Sequence, residues 1–80
     1  MTVTVLLFAS YAEKLGFNSR SMELPSGSTV RAVLETVRGM PGASSLPPAP
    51  LVAVNENYAR ADTILANGDE VAIIPPVAGG

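Results

Sequence analysis

The chain has 80 residues, of which 48% are apolar and only 15% charged, where about 25% charged is usual. It holds no cysteine and no histidine, which excludes disulfides, thiolate metal sites, cysteine nucleophiles and histidine acid–base chemistry. Five basic residues, scattered as Lys14, Arg20, Arg31, Arg38 and Arg60, stand against seven acidic ones for a net charge of −2, leaving no basic footprint for nucleic acid or membrane.

The first predicted element is a strand over Thr2 to Phe8, rich in β-branched and aromatic residues. Its pleat puts Val3, Val5 and Leu7 on one face and Thr2, Thr4, Leu6 and Phe8 on the other. Ser10-Tyr11-Ala12-Glu13 fits a capping box with Ser10 as N-cap, opening a short helix that Gly16 closes with a left-handed cap. Asn18 to Leu24 reads as a second strand, with Met22 and Leu24 sharing a face. After the Pro25-Ser26-Gly27 turn, Ser28 or Thr29 is placed to cap a longer helix. Val30, Val33, Leu34 and Val37 give that helix one apolar stripe, and Gly39 with Pro41 stops it.

Gly39 to Pro50 contains two glycines and four prolines and reads as an irregular surface loop. Leu51 to Val54 is a short buried strand, and Asn55-Glu56-Asn57 turns it around, with Asn55 expected to bond its own backbone. Short irregular pieces lead to a second turn at Asn67-Gly68-Asp69 and a strand over Glu70 to Ile74, which Pro75 and Pro76 end. One substantial helix cannot cover both faces of a sheet. The expected class is therefore α+β, a mixed four- to five-stranded sheet over residues 1–74 with that helix on one face. Residues 75–80 form an extended tail.

Two places stand out as functional. The first is the end, Pro75-Pro76-Val77-Ala78-Gly79-Gly80. A Gly-Gly pair falls at a given place about 0.5% of the time at ordinary glycine usage near 7%. Here it follows a buried strand directly, through prolines that favour polyproline II, so six residues reach roughly 19 Å at about 3.1 Å each. A tip without Cβ atoms can thread a narrow channel. Its one reactive group is the Gly80 carboxylate, which becomes an electrophile once activated. The second place is the sheet face away from the helix, where Leu6, Phe8, Ala72 and Ile74 fall together and Tyr58 can join them as a docking patch. Adjacent Asp69 and Glu70 point to opposite faces and read as a turn aspartate and a solvated strand edge. The longest apolar run, Val5 to Ala9, is too short to span a bilayer, and Met1-Thr2-Val3-Thr4 lacks a basic leader region. A cytoplasmic protein is expected.

The run from Gly68 to Gly80, GDEVAIIPPVAGG, resembles the C-terminal signature of the small subunit of molybdopterin synthase, a ubiquitin-like sulfur carrier. Val5-Leu6-Leu7-Phe8-Ala9, Gly27-Ser28-Thr29-Val30 and Val54-Asn55 are similar in the same order. Ala12 stands where that family often has Arg, and the proline-rich loop is a further departure. The resemblance implies a β-grasp fold and no permanently bound cofactor or metal. An ATP-dependent adenylating enzyme would activate Gly80, and sulfur transfer would turn the carboxylate into a thiocarboxylate. With Gly79 and Gly80 inserted in a large subunit that supplies the catalytic residues, the sulfur passes to cyclic pyranopterin monophosphate. The resemblance further implies a heterotetramer of two large and two small subunits, with Pro75, Pro76, Val77 and Ala78 of the tail joining the patch in partner binding. A thiamine-pathway sulfur carrier and a ubiquitin-like protein modifier use the same tail chemistry. Thiamine-pathway carriers usually lack the helix after strand one and the Pro-Pro pair.

Overall fold

The computed structural model describes residues 1–76. In chain order the elements are β1 (Thr2–Leu7), α1 (Ala9–Leu15), β2 (Ser19–Glu23), α2 (Val30–Arg38), a 3-10 turn (Ala43–Ser45), β3 (Leu51–Val54), β4 (Asn57–Ala59) and β5 (Glu70–Ile74). The strands form one mixed sheet in the order β2-β1-β5-β3-β4. β1 and β5 run parallel through its middle, with Val5 beside Val71 and Leu7 beside Ile73, and the other pairings are antiparallel. No helix among the described residues is long and apolar enough to cross a membrane.

The core lies between one sheet face and the helices. Val3, Val5 and Leu7 from β1 and Val71 and Ile73 from β5 meet Val30, Val33, Leu34 and Val37 of α2, all buried in a single cluster. Each such side chain contributes roughly 1.5–3 kcal/mol on leaving water. Tyr11 of α1 joins the same cluster, so both helices cover the same face. The loop after α2 is more than surface. Its 3-10 turn buries Ala43 and Leu46 in the core, and Arg38 Nη2 donates to the carbonyl oxygens of Pro47 and Pro48. Gly42 (φ +90°) lies so close to the end of α1 that an added Cβ would overlap the Lys14 carbonyl oxygen.

Capping departs from the expectation at both helices. α1 begins at Ala9, its N-cap is Phe8, and no side chain caps it, so the Ser10 capping box is not formed. β1 ends at Leu7; Phe8 remains extended, and Ala9 breaks the strand with a left-handed φ of +47°, so the helix starts before Ser10 can cap it. The C-terminal expectation holds: Gly16 sits at φ +85° and donates to the Ala12 carbonyl. At α2, Thr29 is the N-cap without a side-chain bond, and the Ser28 hydroxyl donates to the Pro25 carbonyl instead. Backbone from a distant loop takes over the task. Val30 N–H donates to Thr63 O at 3.0 Å and Arg31 N–H to Ala61 O at 2.9 Å. These bonds satisfy amides that a cap would otherwise serve.

Candidate functional site

The sheet face opposite the helices is assembled by register. Leu6 lies beside Ala72, Ala72 beside Ala53, and Ala53 beside Tyr58, so one row of side chains crosses four strands. Two residues further along, at the end where β5 stops, stand Phe8, Ile74 and Leu51, the last two directly paired. At the opposite end Glu70 pairs with Thr4. Leu6, Phe8, Ala72 and Ile74, singled out from the pleat, and Tyr58, expected to join them, line one groove of about 510 Å³ with Ala53, Glu56 and Glu70. Phe8 is 48% exposed, Leu51 47% and Tyr58 76%, so three large side chains stand open to solvent on or beside one sheet face.

Three lining residues were not foreseen. Ala53 is buried yet stands outside the core cluster, because the Tyr58 ring and Ala72 flank it on the bare face. Only the cross-strand register shows this, and β4 itself went unread: it has three residues, and Asn57 belongs to it rather than to the turn. Glu56 reaches the groove through the hairpin turn. Asn55 and Glu56 form a two-residue connection with φ of +49° and +72°, a conformation in which Asn-Gly is the ordinary pair.

The Asn55 side chain does not bond its own backbone as expected. Its Nδ2 donates to Asp69 Oδ1 and its Oδ1 accepts from Glu70 N–H, both at 2.9 Å. Asp69 Oδ2 in turn accepts from Ala66 N–H at 2.8 Å, the turn role expected of it. These bonds tie the β3–β4 turn to the start of β5 and set Glu56 and Glu70 at one end of the groove. No residue of the groove is a cation. Among the described residues no three of Asp, Glu, His or Cys gather as metal ligands.

Pro75 and Pro76 follow β5 outside the ladder, at the end of the groove marked by Phe8 and Ile74. Val77, Ala78, Gly79 and Gly80 lie outside the described residues.

Comparison with known proteins follows the same outline. The model of the ThiS family matches residues 5–80. A molybdopterin synthase sulfur carrier subunit of Arabidopsis thaliana is 38% identical over 79 residues, covering 98% of this chain and 82% of the relative. Among solved structures, a Pyrococcus furiosus protein described as molybdopterin converting factor, subunit 1, superposes with a TM-score of 0.82 at 28% identity, covering 95% of this chain and 98% of that one. SAMP1 from Haloferax volcanii superposes with a TM-score of 0.84 at 28% identity over the whole of both chains.

Proposed function

The chain belongs to the ThiS family, and from that premise we propose that it is the sulfur carrier subunit of a molybdopterin synthase. The observation that carries this reading is the 38% identity over 79 residues with the Arabidopsis carrier subunit. The chemistry proposed is that of the tail. A carboxylate resists nucleophiles, so an adenylating enzyme joins Gly80 to AMP and releases pyrophosphate from ATP. Hydrosulfide then attacks the Gly80 carbonyl carbon, AMP leaves, and a thiocarboxylate remains. Gly79 and Gly80 keep the tip narrow, and Pro75 and Pro76 stiffen its base.

A large subunit holds the tail while the sulfur bonds to cyclic pyranopterin monophosphate and water cleaves the acyl carbon–sulfur bond, returning the Gly80 carboxylate; two carriers flank a pair of large subunits. The bare face of Leu6, Phe8, Tyr58, Ala72 and Ile74 is the surface offered to that subunit and to the adenylating enzyme. Such exposed apolar area on a small domain is what a recurrent interface needs. The carrier contributes position and reach, and its partners contribute catalysis.

The test is intact mass. Incubation with an adenylating enzyme, ATP and a sulfur source should add the mass difference between sulfur and oxygen, localised to Gly80. An unchanged mass would contradict the proposal. A second reading is favoured by the likeness to solved structures of small archaeal modifier protein 1: Gly80 would be joined to lysine amino groups of other proteins. Isopeptide-linked conjugates ending in Gly-Gly would support that acceptor.

A further inference from the structure

Resting on the docking role just proposed, we infer that the groove has a direction, set by a basic side chain of the large subunit, Lys or Arg, seated against Glu56 and Glu70. The rest of that partner's surface is apolar and lies along Leu6, Ala72 and Tyr58. The first support is charge. Glu56 and Glu70 are the only charged residues lining the groove among the described residues, and none of the chain's five cations joins them. A complementary partner is therefore apolar along the floor and positive at one end.

The second support is where those charges stand. Glu70 opens β5, and the tail departs beyond Ile74 at the strand's other end. Four residue steps run from Glu70 to Ile74, about 13 Å at 3.3 Å each. An uncharged slot would accept an apolar ridge in either direction, with the tail leading away from the partner's channel in one of them. A basic side chain breaks that ambiguity, because the reversed arrangement presses two carboxylates against apolar surface without partners.

The third support is local. Glu56 holds φ +72° in the second position of a two-residue turn, where glycine meets no steric penalty. Asn55 keeps the turn there through its bonds to Asp69 and Glu70. A side chain kept in unfavourable backbone at the rim of a groove is a mark of use rather than of stability.

The experiment titrates the chain against the large subunit at low and high salt and records melting temperatures. Glu56→Gly relieves the left-handed strain, so its melting temperature should hold or rise while its affinity at low salt falls by roughly fivefold to twentyfold. Glu56→Gln and Glu70→Gln should lose affinity similarly. All three deficits should shrink at high salt, where exposed charges are screened within about 3–10 Å. Phe8→Arg tests the docking role separately. If Phe8→Arg binds like the unaltered chain, the docking face itself is wrong. If Phe8→Arg fails but the three glutamate variants bind normally, the face stands and the directional charge is overturned. A loss in Glu56→Gly that Glu56→Gln does not share would trace to the backbone and overturn it as well. Self-association of the free chain, abolished by Phe8→Arg, would assign the groove to a second copy instead.

Discussion

The two faces of one sheet are built from the same strands and have opposite fates. Val5 and Leu7 point into a sealed core, while Leu6 on the same strand and Phe8 just past its end line an open groove. The difference does not lie in residue type, since both sets are apolar. It lies in supply: α1 and α2 both pack on one side, and no element among the described residues lies over the other. Parity along a strand thus separates residues that hold the fold from residues free to hold a partner.

The largest expected effect breaks the covered face. Leu34→Arg puts a charge on the buried stripe of α2 and should cost about 4 kcal/mol or more, enough to unfold a domain of this size. Thermal melting with far-ultraviolet circular dichroism reads the loss. The mirror experiment is Phe8→Arg. With Phe8 48% exposed, folding should change by no more than about 0.5–1 kcal/mol. Binding to the large subunit should weaken by roughly 2–4 kcal/mol through loss of an aromatic anchor and desolvation of an unpaired charge. Equal damage to folding by the two variants would erase the distinction between the faces.

Gly42→Ala comes next, an intermediate effect on the covered side. Its Cβ would overlap the Lys14 carbonyl, and its φ of +90° resists any side chain, so a loss of about 2–3 kcal/mol is expected in chemical denaturation. Removing Gly80 should abolish sulfur loading and leave melting nearly unchanged, because a terminal residue is not expected to hold the core. The smallest effect is expected at Tyr11. Its buried hydroxyl finds no hydrogen-bond partner among the described residues, so Tyr11→Phe should leave stability within about 0.5 kcal/mol or raise it. A larger loss would mean that the hydroxyl is satisfied in solution.

Much of this division is legible along the chain. The alternation of β1 and the stripe Val30, Val33, Leu34, Val37 each follow a local period, and both faces of β1 come out as that period requires. What escapes is whatever depends on distant backbone. Ser10 offers a good capping signal, but the left-handed Ala9 starts the helix earlier. Thr29 stands where a cap belongs, but carbonyls of Ala61 and Thr63 do its work. In the groove, Leu6, Phe8, Ala72 and Ile74 follow from pleat and parity, and Glu70 shares the parity of Ala72 and Ile74 although it reads as a solvated strand edge. Tyr58, Ala53 and Glu56 do not follow so, because their place depends on the β3–β4 register and on a turn whose second residue is not the expected glycine. A strand of three residues, Asn57–Ala59, is too short to show a periodicity.

The most direct test follows the sulfur through one turnover. The chain is first loaded as the Gly80 thiocarboxylate, then mixed with the large subunit and cyclic pyranopterin monophosphate, and its intact mass is recorded over time. The expected result is a return of the carrier to the unmodified mass as dithiolene-bearing product appears, with Phe8→Arg staying loaded. A carrier that keeps its sulfur in the presence of both, or passes Gly80 to lysines instead, would contradict the assignment.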